Sequence, residues 1–147
     1  MNEYDIASAI ATRLGATTPP TGQDAIKLAT ADYPDALGLW PTLLVGISTM
    51  SAESFDNKAR SLTLTFPVTL FLGRADGTPR RSRALRDWIT MLYPRLSGYM
   101  TLGSLAYVPW SEVVAWRGSV VTYGGEEYDG AVFDARVLVR EASGAAA

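Results

Sequence analysis

Side chains able to carry out covalent or acid–base chemistry are scarce in this sequence of 147 residues, which has no histidine and no cysteine. Without histidine, a serine–histidine–aspartate arrangement lacks its general base, and without cysteine there is neither a thiol nucleophile nor a thiolate zinc ligand. The two lysines, Lys27 and Lys58, do not follow a serine at the Ser-x-x-Lys spacing. No glycine-rich phosphate-binding segment joins a predicted strand to a helix. The sequence therefore predicts a protein that is not an enzyme and that binds no metal or cofactor.

The densest group of acidic side chains consists of Glu126, Glu127 and Asp129. Carboxylates this close together can bind Ca²⁺ or transfer protons. The glycines at residues 124–125 and 130 predict a hairpin turn around them. Acidic side chains in a turn are ordinarily solvated. We therefore expect exposed carboxylates, with a cation site or a contact with a partner as the alternatives.

The sequence contains one concentration of basic side chains: Arg74, Arg80, Arg81, Arg83 and Arg86. On a helix, arginines three residues apart share a face. The formal net charge of −2 does not favour nucleic-acid binding, and no aromatic residues are interleaved on the same predicted surface. Three interpretations remain open: a solvated helix face, a contact with an acidic neighbouring subunit, or a contact with the DNA backbone.

Several aromatic residues are predicted to lie near loops or strand ends: Trp40, Tyr99, Tyr107, Trp110 and Trp116. Core packing is one interpretation, but subunit interfaces also use aromatic residues at such positions. Residues 97–111 are unusually apolar for a loop, so residues 99–110 are expected to be covered by a neighbour. The residues predicted to form a subunit or partner interface are Arg74, Arg80, Arg81, Arg83, Tyr99, Tyr107, Trp110, Glu126, Glu127 and Asp129.

Two alternating segments and the helix between them must position these side chains. Residues 61–72 and 131–140 both alternate between apolar and more polar positions, which predicts half-buried strands. Residues 112–123 predict a further strand that forms a hairpin with the last one. The helix between the alternating segments has its apolar residues on one stripe: Leu85, Trp88, Ile89, Leu92 and Leu96. Thr78 is expected to cap this helix with Pro79 in its first turn, and Pro94 is expected to close or kink it.

The N-terminal half is less regular. Asn2 predicts the cap of a first helix, whose apolar residues Ile6, Ile10 and Leu14 recur every fourth position. Residues 42–48 predict a buried strand that includes Val45 and Ile47. Residues 25–31 fit either a strand or a helical turn, and residues 50–60 are polar and small, so they predict an exposed loop.

Together these elements predict an α+β fold, with a mostly antiparallel sheet of about four to five strands packed with two helices. We expect one domain over residues 1–142 and a flexible tail over residues 143–147. Hydrophobic residues make up 48% of the chain, which is typical of a globular protein. No run is apolar and long enough to predict a membrane span. The first residues are acidic where a signal peptide would be basic.

Three stretches of the sequence resemble the tail terminator proteins of long-tailed bacteriophages. The first is Tyr-Pro-Asp at residues 33–35 followed by Trp-Pro-Thr-Leu-Leu-Val-Gly at residues 40–46. The second is Phe-Pro-Val-Thr-Leu-Phe-Leu at residues 66–72, followed by the helix of residues 80–96. The third is the segment of residues 128–137, which enters the last strand as Tyr-x-Gly-Ala-x-Phe. The resemblance covers nearly the whole chain.

The resemblance implies a mixed α/β subunit that forms a homo-oligomeric ring, usually a hexamer. Such a ring caps the finished tail tube, stops its polymerisation and offers a docking surface to the connector or stopper protein on the head side. The genomic DNA passes through the lumen without specific binding, and no membrane is involved. The implied location is the virion neck at the top of the tail, after assembly in the host cytoplasm. The family has no catalytic residues to transfer to this chain.

Other functions remain as alternatives. One is a different neck protein, such as a head-closure stopper or a minor tail protein. Another is a small ligand-binding or enzyme domain, which would place polar residues on an inward face of the sheet. Asp134 and Arg136 are the candidates for such residues, with ion pairing or exposure to solvent as the alternative. A monomeric protein without any assembly role is the third alternative.

Overall fold

The computed structural model of the chain describes residues 1–55, 59–75, 80–97, 102, 108 and 110–142. Its helices are α1 (Glu3–Gly15) and α2 (Arg80–Leu96). Its strands are β1 (Leu28–Thr30), β2 (Thr42–Val45), β3 (Thr49–Phe55), β4 (Ala59–Arg74), β5 (Trp110–Tyr123) and β6 (Glu126–Ala142). No helix in the described ranges is long and apolar enough to cross a membrane.

The strands form one sheet in the order β1-β2-β4-β6-β5, and β3 pairs with β4 beyond the end of β2. The β1–β2 pair is parallel and all other pairs are antiparallel. This arrangement confirms the predicted α+β class with a mostly antiparallel sheet and two helices. With β1 and β3 the described sheet has six strands, more than the four or five expected.

Both helices lie on the same side of the sheet, which we call the helix face; the other side is the open face. Helix α1 contacts β1 and β2, whereas α2 contacts β5 and β6. The predicted alternation is confirmed, because one parity of β4 and one parity of β6 are buried against the helices. These buried residues are Leu62, Leu64, Phe66, Val68 and Leu70 of β4 and Ala131, Phe133, Ala135, Val137 and Val139 of β6.

Helix α2 packs as its apolar spacing predicts. All five residues of its stripe are buried, and Trp88 is completely inaccessible to solvent. Pro94 lies inside the last turn, and the helix continues to Leu96. Thr78 and Pro79, predicted to start the helix, lie outside the described residues.

Helix α1 also begins where predicted, with the backbone N–H of Asp5 donating to Asn2 Oδ1 at 3.1 Å. The two helices meet near their C-termini through a reciprocal exchange. Arg13 donates to the carbonyl oxygen of Arg95, and Arg95 donates to that of Arg13 at 3.3 Å. Cations favour the C-terminal end of a helix, so each arginine stabilises the end of the other helix.

Residues 50–60 were predicted to be an exposed loop, and this prediction is wrong. Most of them belong to β3 and to the first residues of β4, in register from Thr49↔Thr65 to Phe55↔Arg60. Small polar residues predict a strand only weakly. These residues form one because β4 extends beyond the end of β2 and can pair with a second strand there. The undecided residues 25–31 contain a strand, β1.

The strand predicted over residues 42–48 ends earlier, at Val45. Ile47, which we expected to be buried, is 70% exposed. Pro67 of β4 faces this break, and the N–H of Gly46 donates to its carbonyl oxygen at 2.7 Å. A proline supplies no backbone donor to a sheet, so regular pairing with β4 stops here and resumes at Thr49.

The open face carries a second, smaller apolar cluster at the end of the sheet where β5 and β6 join. Its buried members are Leu37, Leu44, Phe71 and Tyr128, with Trp40, Val121 and Tyr123 packed against them. The Tyr123 hydroxyl donates to the carbonyl oxygen of Pro34. The segment of residues 33–40 therefore covers this end of the open face.

Candidate functional site

The predicted acidic turn is not a turn in the structure. Only Gly124 and Gly125 form the connection, with φ values of 60° and 83°, and β6 begins at Glu126. Tyr128 is buried in the second cluster, so its packing holds the following residues in the sheet. Glu126 and Glu127 are exposed as expected, but the Asp129 side chain is only 14% exposed, so the prediction was wrong for Asp129.

The predicted arginines and acids meet each other inside one chain. Arg81 donates to Asp129 Oδ2 at 2.9 Å and also to the carbonyl oxygen of Arg74. Arg74 forms an ion pair with Glu126. Part of the charge predicted to contact a neighbouring subunit therefore has partners within the subunit, where it connects α2 to β4 and β6.

Of the remaining predicted interface residues, Glu127 and Arg83 have described side chains. Arg83 is exposed on α2 and pairs with Asp87 at 3.1 Å, one turn further along. Tyr99 and Tyr107 lie outside the described residues. Arg80 begins α2 and Trp110 begins β5, but their side chains are also outside the described part of the chain. The assignment of these ten residues to an interface stays a prediction.

A groove of about 320 Å³ lies between the first half of α2 and the edge strand β5. It is lined by Arg81, Ser82, Leu85, Arg86, Trp116, Gly118, Val120 and Asp129. A Cβ atom at Gly118 would lie 3.5 Å from the Trp116 ring and 3.8 Å from Leu85 Cδ1. The absence of a side chain at this position therefore leaves the floor of the groove open.

Large apolar side chains are exposed along this edge. Trp116 is 45% exposed and Val120 is 49% exposed. A β-bulge between Val114 and Trp116 sets the direction of the tryptophan, with Ala115 at φ 50°. Bulges commonly redirect a side chain at the edge of a sheet. Sequence reasoning noted Trp116 as one aromatic among several, but it missed Val120 and Arg117.

Asp134 and Arg136 do not face the core. They belong to the parity of β6 that points to the open face, opposite the buried Phe133 and Ala135. Arg136 forms an ion pair with Glu112 of β5. The inward-facing interpretation of these two residues is therefore wrong, because the buried parity of β6 consists of the odd-numbered residues. The alternative, that they pair or face solvent, is confirmed for Arg136 by its ion pair.

The described residues contain no group of three or more acidic side chains that could hold a metal ion. Burial raises the pKa of the Tyr123 phenol above its ordinary value, and the nearby Asp35 carboxylate raises it further. The hydroxyl of Tyr123 is used in a structural hydrogen bond to Pro34. The arrangement at the groove is suited to contact with another molecule through apolar surface flanked by charge.

A scan against protein-family models and a search of curated proteins both find no match to this chain. The resemblance to tail terminators therefore depends on the sequence stretches described above.

Proposed function

We propose that this protein is a tail terminator of a long-tailed bacteriophage, a ring-forming structural protein that caps the tail tube. In this role it stops polymerisation of the tube and joins the tail to the connector on the head side. The observation that carries the proposal is the open edge strand β5, with exposed Trp116 and Val120 beside a groove. The α+β fold agrees with the subunit architecture that the sequence resemblance implies.

The β5 edge supports an assembly role for a physical reason. Strand β5 is 14 residues long, and in the described part of the chain no strand pairs with its free side. An edge of this length presents unpaired backbone N–H and C=O groups, which proteins usually protect from unwanted pairing. Exposed apolar residues on such an edge are typical of a surface that another protein covers.

Capping a tube requires two different surfaces on each subunit. One surface makes a heterologous contact that closes the ring, and the other binds the last ring of the tube. A subunit that adds to the tube end without presenting the self-propagating surface of the tube protein stops further growth. The β5 edge is a candidate for the first of these surfaces.

Binding of a small ligand is the second candidate function, and the groove itself favours it. Its volume of about 320 Å³ is at the lower limit of small-molecule sites, which span roughly 300–1,000 Å³. Arg86 and Ser82 would provide polar contacts and Trp116 an apolar one. A thermal-shift screen of anionic and aromatic metabolites would support this function if a compound stabilised the wild type and not a Gly118→Leu variant.

The decisive experiment for the tail-terminator proposal is negative-stain electron microscopy of a phage lysate that lacks this gene. Overlong tails that are not attached to heads are the expected result. Tails of normal length beside DNA-leaking or tailless heads would support a head-closure function instead. Normal virions would contradict both functions.

Complementation in the same lysate tests the β5 edge. We expect Trp116→Asp combined with Val120→Asp to leave overlong tails, because two charges then replace the exposed apolar surface. The matched control is Trp116→Phe with Val120→Ile, which keeps the surface apolar and should restore normal tails. If both variants restore normal tails, the edge has no part in the function.

A further inference from the structure

We infer that the molecule that covers the β5 edge is a second copy of this chain, and that it docks with the opposite end of its sheet. The docking surface on that second copy is the N-terminal end of α1 together with Asp32. This inference rests on the proposed ring and identifies the two surfaces that close it. We call them the β5 end and the α1 end.

Charge is distributed unevenly along the chain and therefore across the sheet. Residues 1–55 contain six acidic and two basic side chains, a net charge of −4, whereas residues 56–147 contain nine acidic and eleven basic ones, a net charge of +2. The first range supplies α1, β1, β2 and β3, which lie on one side of β4. The second supplies β4 itself and, on its other side, α2, β5 and β6. Residues 75–147, which follow β4, contain eight acidic and eight basic side chains. The α1 side of the subunit is therefore acidic, whereas the β5 side has no net charge.

At the β5 end, two arginines flank the exposed tryptophan. Arg86 lines the groove together with Trp116 on the helix face. Arg117, Trp116 and Asp134 line a smaller depression of about 110 Å³ around the bulge. Both arginines are exposed, and neither forms an ion pair with another described residue. This end therefore offers an apolar centre with an exposed arginine on each side of it.

At the α1 end, two aspartates accompany an exposed tyrosine. Tyr4 is 52% exposed, and its hydroxyl donates to Asp32 Oδ2 at 3.0 Å, which fixes the position of that carboxylate. Asp5 is exposed in the first turn of α1. The neighbouring Glu3 is already engaged by the backbone N–H and hydroxyl of Ser48, at 3.3 and 3.2 Å. This end offers an aromatic side chain with negative charge beside it.

The two ends are complementary to each other and not to themselves. Contact between two β5 ends would bring arginines together, and contact between two α1 ends would bring aspartates together, both of which are unfavourable. Association through opposite ends is heterologous, so it forms a ring when the rotation between neighbours closes. Of the three acids predicted for this contact, Glu126 and Asp129 are paired within the subunit with Arg74 and Arg81, whereas Glu127 is exposed.

Cysteine crosslinking tests the contact with no background, because the sequence contains no cysteine. A chain with Ser8→Cys on α1, one turn after Tyr4, and Val120→Cys on β5 carries one thiol at each end. Under mild oxidation this chain should form a ladder of dimers, trimers and larger species on a non-reducing gel. Its matched control replaces Val120→Cys by Thr65→Cys, which lies on the open face of β4, away from both ends; it should form no ladder beyond dimers.

Charge reversal in the variant that carries both cysteines then tests the two surfaces. We expect Arg86→Glu with Arg117→Glu to lower the ladder yield about tenfold or more, and Asp5→Lys with Asp32→Lys to do the same. A mixture of these two variants should restore the ladder, because every contact in it joins opposite charges. The ladder of the unreversed chain should also weaken as salt rises from about 50 mM to about 500 mM.

Two controls accompany the reversals. Arg140→Glu reverses an exposed arginine of β6 away from both ends and should leave the yield unchanged. The melting temperature of each variant shows whether it is folded. If a reversed variant is unfolded, the uncharged pair Arg86→Gln with Arg117→Gln replaces it, and a smaller loss is expected.

Failure of this inference is distinguishable from failure of the proposed function. Unchanged ladders in both reversed variants, or no restoration in the mixture, would contradict these surfaces. If such a chain still caps tail tubes, the proposed function stands and the ring closes through other residues. The inference would also be contradicted if the variant with both cysteines formed no crosslinked ladder, either alone or on isolated tail tubes. Normal virions without the gene would remove the proposed function.

Discussion

Arg81 joins three elements through one side chain. From α2 it donates to a main-chain carbonyl at the end of β4 and to the carboxylate of Asp129 in β6. A Cβ atom at Gly73 would lie 2.8 Å from the Arg81 guanidinium, so the glycine makes room for this contact. Because Asp129 is largely buried, loss of Arg81 would leave a carboxylate with little solvent and without its cation.

We therefore predict that Arg81→Ala lowers the free energy of unfolding by about 2–3 kcal/mol, as expected for a hydrogen bond to a charged, mostly buried group. The control is Arg83→Ala on the same helix. The Arg83 side chain is 82% exposed, and its ion pair with Asp87 should contribute less than about 1 kcal/mol. Urea unfolding of the three proteins measures both effects. Equal losses in the two variants would contradict the structural role of Arg81.

This role also affects how assembly can be tested. A charge reversal that includes Arg81 would disturb the packing of α2 against β4 and β6, so lost assembly could follow from a damaged fold. Arg86 and Arg117 make no such contacts within the described residues and are the better positions to change.

Tyr123 links stability to pH in the alkaline range. Burial, and then the charge of Asp35, raises its pKa above the ordinary value of about 10. The folded state therefore keeps the phenol proton at a pH where the unfolded chain has released it. The stability that the protonated phenol contributes is complete below the pKa of Tyr123 in the unfolded chain. It is lost as the pH rises through the pKa of Tyr123 in the folded protein.

We predict that the melting temperature of the wild type falls more steeply above about pH 10 than that of Tyr123→Phe. At neutral pH the variant should be less stable by about 1 kcal/mol, because it lacks the hydrogen bond to Pro34. Thermal unfolding followed by circular dichroism at several pH values measures both effects. Parallel curves for the two proteins would show that Tyr123 does not cause the alkaline loss.

At the scale of elements, β4 and β6 form the centre of the sheet, and Gly130 allows them to come close together. A Cβ atom at Gly130 would overlap the carbonyl oxygen of Leu70 and lie 2.8 Å from Val121 Cγ2. The Leu70 carbonyl group belongs to the backbone of the central strand β4, so it cannot move without disturbing the pairing between β4 and β6.

Gly130→Ala should therefore cost about 1–3 kcal/mol of stability through overpacking. Gly38→Ala is the matched control, because a Cβ atom at Gly38 would meet nothing within 4 Å. Chemical unfolding of the two variants compares the cost directly. A Gly130 variant as stable as the Gly38 variant would mean that the strands can separate slightly without cost.

The central elements could be predicted from sequence because their patterns are local. Thr and Leu alternate along β4, and the Leu85–Trp88–Leu92 spacing marks one face of α2, so each element carries its own signal. The sequence of β3 has no such pattern. Its small polar residues form a strand because they can pair with an edge of β4 that β2 does not cover. Asp129 was misplaced for the same reason, because its partner Arg81 is 48 residues away in the chain.

At the scale of the whole molecule, the candidate contact surfaces combine residues from distant parts of the chain. Tyr4 meets Asp32, and Trp116 shares a groove with Arg86, only because the sheet brings these segments together. Sequence reasoning could identify an excess of arginine in one region, but not which arginines are used inside the subunit. That distinction requires the folded structure.

Hydrogen exchange across the molecule should reveal the state of the β5 edge. In an antiparallel edge strand, alternate backbone N–H groups point away from the neighbouring strand. We predict that these amides of β5 exchange fast in the monomer, whereas the amides of β4 and β6 exchange slowly, close to the rate set by global unfolding. Assembly should slow the β5 amides selectively. Slow exchange of all β5 amides in the monomer would mean that the edge is already covered.

The position of β6 in the sheet has a consequence for biosynthesis. This strand is the last element of the described chain, yet it lies between β4 and β5. Strand β4 therefore has no partner along that edge until the ribosome has synthesised the 68 residues that follow Arg74, up to Ala142. At roughly 5–20 residues per second, this takes roughly 3–14 s. During that time the nascent chain is a substrate for chaperones, and a premature stop before β6 should yield aggregated protein and not a partly active subunit.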